Sequence, residues 1–369
     1  MVTSGYRYTL DLFRKDGSRI GQAAIDVDWT TAEEWVRFEA LRRGRRSAMD
    51  PGTTTTIDPV WHETIGAPYI SGFRVSLCDG APAAEAGELT TAHLQALARA
   101  ATTLFVERGT LAAGERIVYL AAAFPAREEP PNGSALAFDA EEVSVPLPLP
   151  EASLADVSND AVFAGDSSAE DVPVFVPEGI LDETAFLARQ VEGKETGGIL
   201  IGHVHRDHDS GDLFVRVTAQ IPARHTEASA TRLTFTPETW TDVRAALALR
   251  RRDEIMVGWW HSHPIRHWCK DCPPERQAVC GLARGFFSED DHALHRTVFS
   301  RAYCIALVVN DGAGDPTFSL FGWRRGLVAS RGFGILGASR PAAAFENHGS
   351  QVEGESCSRP ELVSSTSTS

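Results

Sequence analysis

His261 and His263 stand two residues apart at the end of the apolar run Ile255-Met256-Val257-Gly258-Trp259-Trp260, and Pro264 closes it. The run is short for a helix and reads as a buried strand. Residues two apart on a strand share a face, so the two imidazoles project together while Ser262 turns away. Paired imidazoles make half of a transition-metal site. The same four residues also fit a pair of surface histidines after a core strand. Two further groups could complete a site. Upstream, Glu195-Thr196-Gly197-Gly198 leads into the apolar Ile199-Leu200-Ile201; downstream, Ser288-Glu289-Asp290-Asp291 opens a helical pattern with Leu294 and Val298 on one face. Each is ordinary alone: Ser-x-x-Asp is also a helix capping box, and Glu195, with Glu192 nearby, also reads as a solvated loop acid.

Taken together, a glutamate, then His-x-His-Pro, then Ser-x-x-Asp resembles the signature of the JAMM metalloproteases, also called JAB or MPN domains, over roughly residues 172–336. The resemblance implies an α/β (α+β) domain whose mixed, curved sheet is flanked by helices. It implies Zn2+ held by His261, His263 and Asp291, with a water in the fourth place, Glu195 as general base and Ser288 as hydrogen-bond donor to the oxyanion. It further implies an isopeptidase or peptidase acting after the C-terminal glycine of ubiquitin or a ubiquitin-like protein. Bacterial members of the family mature or deconjugate such modifiers, or act in antiviral operons, beside E1- and E2-like conjugation enzymes. Two other readings belong to the same resemblance: a processing protease for a small sulfur-carrier protein, and a non-catalytic MPN-type scaffold that has lost its ligands. The complete motif argues against the scaffold.

One spacing departs from the family pattern. Twenty-three residues separate Pro264 from Ser288, and the family usually has far fewer. The insertion carries His267, Cys269, Cys272 and Cys280, so His267 or Asp271 becomes a rival to Asp291 as third ligand. Cys269 and Cys272 form a Cys-x-x-Cys knuckle, and with Cys280 and His267 they offer a ligand set for a second, structural zinc. The alternatives are a loop of reduced thiols, a disulfide, or a cysteine that reaches the first metal.

The chain that must position these groups has 369 residues, 43% hydrophobic and 23% charged, enough for two cores. Its net charge of −15 argues against nucleic acid and anionic membrane surfaces as partners. No apolar run reaches the roughly 18 residues of a spanning helix, and the first residues lack a signal-peptide core, so a cytoplasmic, reduced setting is expected. Residues 1–127 read as a separate N-terminal α+β domain suited to recruiting substrate or partners. Its expected strands are 6–12, 19–28, 70–77 and 116–123. Its expected helices begin at a Thr31–Glu34 capping box and at 91. The stretch from Arg42 to Arg46 reads as a solvated basic helix end or a dock for an acidic partner, and a Gly, Thr and Pro-rich loop follows it. His62, His93 and Cys78 are isolated and read as structural. Residues 128–171 hold eleven acids and no Lys or Arg and read as an extended acidic linker. The expected metalloprotease domain, 172–336, has strands at 197–203, 214–222, 231–235, 255–263, 303–309 and 317–323, with helices at 181–191 and from 236 and 288. A disordered Ser/Thr-rich tail is expected at 337–369.

Overall fold

The computed structural model describes all residues except 1, 4, 51, 63–67, 79–85, 127–146, 192, 224–225, 229–232, 274–284, 313 and 339–369. The chain divides into two compact units, Met1–Leu147 with Arg325–Leu327, and Pro148–Arg324 with Val328–Ser369.

The first unit contains β1 (Val2–Thr3), β2 (Tyr6–Arg14), β3 (Arg19–Ile25), α1 (Thr30–Arg42), β4 (Thr54–Trp61), β5 (Tyr69–Cys78), β6 (Ala86–Thr90), α2 (Gln95–Glu107) and β7 (Ile117–Pro125). The sheet order is β1-β4-β5-β7-β2-β3, with β6 also paired to β5. Alternation sets its inner face: Tyr8, Leu10 and Leu12 of β2 and Phe73, Val75 and Leu77 of β5 are buried with Val36 and Ala40 of α1 and Ala98 and Phe105 of α2. His93 is buried and stacks on Trp29, with centroids 5.4 Å apart, as its structural reading expects.

Three local expectations change here. The stretch read as a Gly, Thr and Pro-rich loop contains β4. Its β-branched Thr55 and Ile57 point inward, and Pro59, opposite Phe73 of β5, lies beyond the two residues that β1 pairs. The Thr31 capping box does not form. Instead α1 starts at Thr30, whose N–H (3.0 Å) and hydroxyl (2.6 Å) donate to Asp28. Leu104, expected on the inner side of α2, is 49% exposed.

The second unit contains β8 (Glu151–Ala152), α3 (Leu154–Asn159), β9 (Ala161–Ala164), β10 (Val174–Pro177), α4 (Glu178–Gln190), β11 (Gly197–Asp207), β12 (Leu213–Pro222), β13 (Thr226–Ala228), β14 (Leu233–Phe235), α5 (Pro237–Arg250) and β15 (Ile255–His263). It continues with α6 (Ile265–Trp268), α7 (Glu289–Val298), β16 (Ile305–Asn310), β17 (Thr317–Arg324), β18 (Leu327–Arg331) and β19 (Phe333–Leu336). The large sheet runs β18-β17-β16-β15-β11-β12-β10-β19-β9, and β8 also pairs with β11. It is mixed: β15 and β16 are parallel, and β11 is antiparallel to both β12 and β15. Register shifts on both sides of β11 bend the middle of the sheet. The central strands are buried on both faces, which is why they read as continuous apolar runs. Ile199, Ile201, Trp259, Ala306 and Val308 form one core with Val243 of α5, on which Trp240 and Leu247 also pack. This is the mixed, helix-flanked sheet that the sequence leads one to expect.

The acidic linker is a correction. Residues 151–164 belong to the second unit as β8, α3 and β9. Ser153 caps α3 by accepting the Asp156 N–H (3.0 Å), and Asp207 at the end of β11 accepts the Leu154 N–H (2.9 Å). β9 pairs with β19, more than 160 residues away. Of the acids in this stretch that the structure describes, Glu151, Asp156, Asp160, Asp166 and Glu170 are exposed and Asp171 is buried against Arg324, and the apolar partners of these very short strands lie too far along the chain to mark them locally. Residues 127–146 and the tail from 339 lie outside the described residues.

Candidate metal centre

β15 carries the two histidines through the centre of the sheet. Gly198 opposes Trp260 and Gly197 opposes His261 across the β11–β15 ladder. A Cβ on Gly198 would sit 2.4 Å from the Ile221 carbonyl oxygen and 2.6 Å from the Trp260 indole nitrogen. That close approach is why the segment after Glu195 is glycine-rich. A Cβ on Gly258 would meet the Ile305 carbonyl oxygen of β16 at 2.0 Å, so glycine is required there too.

Ser262, turned away from the histidines, ties down the Glu195 arm. Its N–H donates to the Thr196 carbonyl (2.8 Å), and its hydroxyl accepts the Thr196 N–H (3.1 Å). Asp311, just past β16, holds the other end of the histidine segment. Its N–H donates to the His263 carbonyl (3.0 Å) and its carbonyl accepts the Arg266 N–H (2.9 Å). Its carboxylate takes the Arg266 guanidinium at 2.6 Å and lies 3.5 Å from Arg189 near the end of α4.

His261, His263 and Asp291 converge. The two Nε2 atoms are 3.1 Å apart, and Asp291 Oδ1 is 3.4 Å from His261 Nε2. All three residues are buried. Glu195, 5% exposed, raises the His261 pKa together with Asp291. Asp291 serves two purposes at once: Oδ1 faces His261, while Oδ2 accepts the Ser288 N–H (2.8 Å). Ser288 Oγ in turn accepts the Asp291 N–H (3.1 Å), so the capping box and the carboxylate arm of the site are one structure. The rivals fall away: neither His267 nor Asp271 joins this cluster.

The electrostatics ask for one cation. Burial opposes charge on His261, yet the Asp291 and Glu195 carboxylates outweigh it and raise its pKa. Burial, then the neighbouring His261, pushes His263 down to about 3. Burial opposes charge on Asp291 as well, but His261 and the hydrogen bonds from Ser288 hold its carboxyl well below the usual carboxylate range. A divalent ion satisfies the same demand as a proton held between the two Nε2 atoms. The donor set fits zinc: two imidazole nitrogens and one carboxylate oxygen, whose spacings of 3.1 and 3.4 Å match the roughly 3.3 Å between ligand atoms on one tetrahedral ion.

Aromatic rings wall the site, a feature the sequence reading missed. Trp259 stacks on His261 (centroids 4.7 Å), Phe286 stacks on His263 (4.4 Å), and Trp268 lies 5.2 Å from His263. Trp259 also donates its indole N–H to His295 Nδ1 (3.1 Å). Their spacing was the available signal: Trp259 is two before His261, and His295 is four after Asp291.

The proposed second zinc set does not assemble from its described members. His267 is exposed and its ring lies over Gly193, where a Cβ would be 2.7–2.9 Å from three ring atoms. Among the described residues it forms no three-ligand group with Cys269 and Cys272. Cys269 is buried against Ile265, with Trp268 and Cys272 packed around them. Cys280 lies outside the described residues. Cys78, Cys269, Cys272 and Cys304 form no disulfide with one another. One other metal-capable trio is present among the described residues, Asp207, His208 and Asp209. Asp207 is already engaged by the N–H groups of Leu154 and Ser210 and by the Ser210 hydroxyl, which mark it as a turn residue.

Residues 177–267 match the family model described as prokaryotic homologs of the JAB domain. The match supports the JAB/MPN resemblance for this unit. It spans Glu195, His261 and His263 and ends in the insertion, before Ser288 and Asp291. No curated protein matches the chain. Among solved structures, the chain is similar to the solution structure of protein DSY2949 from Desulfitobacterium hafniense, at 20% identity over 44% of this chain and 91% of that one, with a TM-score of 0.31. Among the described residues, no helix is long and apolar enough to cross a membrane.

Proposed function

We propose that the second unit is a zinc-dependent peptidase or isopeptidase that cleaves after the C-terminus of a ubiquitin-like protein. The observation that carries the reading is the buried convergence of His261 Nε2, His263 Nε2 and Asp291 Oδ1 beside a buried Glu195. His261, His263 and Asp291 would hold the ion. Bound zinc would supply Lewis acidity that makes a water nucleophilic near neutral pH and polarises the scissile carbonyl. Glu195, anchored through Thr196 to the histidine strand, would take the proton of that water and deliver it to the leaving amine. Ser288 uses its lone pair for the Asp291 N–H, which leaves its hydroxyl hydrogen to donate to the substrate oxygen. The first unit would recruit the modifier, its conjugate or E1- and E2-like enzymes.

Glu195→Gln tests this. The variant should retain zinc and lose single-turnover cleavage of a ubiquitin-like protein carrying a C-terminal extension or isopeptide-linked lysine. Cleavage at the wild-type rate would remove Glu195 from proton transfer. Cleavage of the linear extension alone would favour a tail-processing protease, and zinc binding with no turnover of either substrate in wild type would favour a scaffold.

A further inference from the structure

α7 touches β15 at two matched points, and only one of them is a candidate ligand. Asp291 and His295 are four residues apart on the helix, about 6 Å along its axis and on the same face. His261 and Trp259 are two residues apart on the strand, about 6.7 Å along it and also on one face. The spacings agree, so two rungs form: Asp291 to His261 (3.4 Å) and His295 Nδ1 to the Trp259 indole N–H (3.1 Å). The second rung is fully buried: His295 and Trp259 are both 0% exposed. Because Nδ1 accepts, the proton of neutral His295 sits on Nε2, which has no hydrogen-bond partner among the described residues. Burying His295 with Nε2 unpaired carries a desolvation cost, which the Nδ1 hydrogen bond offsets only in part. The same indole lies flat on the His261 ring, 15° from parallel.

We propose that His295 is a positioning residue for the metal centre: through Trp259 it sets the register of α7 against β15, delivering Asp291 to the histidine pair and holding the His261 ring in place. The need for such a key follows from the two-point contact between α7 and β15. With 23 residues between Pro264 and Ser288 in the sequence, a single contact at Asp291 cannot define both the position and the slide of the helix. This inference rests on the zinc reading of the site but not on peptidase activity.

The test is zinc affinity by chelator competition on the full chain, with thermal unfolding recorded alongside. His295→Leu and Trp259→Phe should each weaken zinc binding about 10- to 100-fold, the range for losing a residue that orients metal ligands. The double variant should be little weaker than either single one, because both remove the same bond. His295→Asn, which can offer an acceptor where Nδ1 stood, should recover most of the affinity. Wild-type affinity in folded Trp259→Phe would overturn the proposal. So would His295→Asn binding as weakly as His295→Leu, which would reduce the role to packing. If wild-type protein binds no zinc at all, the metal centre itself is wrong, an outcome visible before any variant is compared.

Discussion

Each unit buries a polar cluster in its sheet, and the two clusters are built on opposite logic. In the first unit, Asp11 is 4% exposed and its oxygens are taken by Arg19 (Nε at 3.1 Å, and Nη2) and by the Tyr69 hydroxyl (3.0 Å). Donors meet an acceptor and the cluster closes on itself. In the second unit, two imidazole nitrogens face each other at 3.1 Å, and an Asp291 oxygen lies 3.4 Å from one of them. Three ligand-type atoms converge on one point, where a single proton between the two Nε2 atoms or one cation meets the demand. Closed clusters hold a fold together; convergent acceptors define a place for a cation.

The largest separation between the two should come from Asp291→Asn. The amide keeps an oxygen for the Ser288 N–H, so α7 stays capped, but it removes the charge that faces His261. Zinc affinity should fall on the order of 100-fold or more, beyond the loss for an orienting residue, while stability changes by less than about 1 kcal/mol. Asp291→Ala should add a capping loss of about 1 kcal/mol. A variant unfolded in both cases would make Asp291 a fold residue like Asp11.

A smaller effect concerns the boundary. A fragment beginning at Pro148 should fold and bind zinc, whereas one beginning at Asp171 loses β8, α3 and β9 and should unfold several degrees lower. Equal melting temperatures would return residues 148–170 to the status of a linker.

Glu254 extends the comparison within the second unit as a closed cluster. It accepts from Arg250 (2.5 and 2.8 Å) and from Thr218 (2.5 Å). The Arg250 hydrogen bonds chiefly, with Thr218, depress its pKa to about 2, against the desolvation of burial. A depressed carboxylate contributes stability that is present above its unfolded pKa, near 4.5, and is lost as pH falls towards 2. Glu254→Gln should therefore cost roughly 1–3 kcal/mol at neutral pH and flatten unfolding curves between pH 4.5 and 2. An unchanged acid limb would show that the cluster does not persist in solution. Asp11→Ala should have the smallest effect, about 1–2 kcal/mol for the hydrogen bonds lost, with zinc affinity unaltered; a change in zinc binding would undo the distinction between the clusters.

Much of this was legible in the sequence because it is local. The continuous apolar runs of β11, β15 and β16, Pro237 at the first position of α5, and Ser288 ahead of Asp291 each announce their own element. The candidate site residues Glu195, His261, His263, Ser288 and Asp291 stood in a familiar order, and of these the structure brings His261, His263 and Asp291 together. His267 and Asp271 rivalled Asp291 in the sequence, and it is the capping box that aims the second oxygen of Asp291 at His261. What the sequence hid depends on distant partners: β9 on β19, Asp207 on Leu154, and His295 on Trp259. In the insertion, the fold lays the His267 ring on Gly193 and away from a three-ligand group with Cys269 and Cys272, while Cys280 lies outside the described residues.

The central claim is that His261, His263 and Asp291 hold one zinc ion, and the most direct measurement is metal content per folded chain in wild type and His263→Ala. The account predicts one zinc fewer in the variant, whatever else the chain binds. Equal zinc content in a natively folded His263→Ala would contradict it.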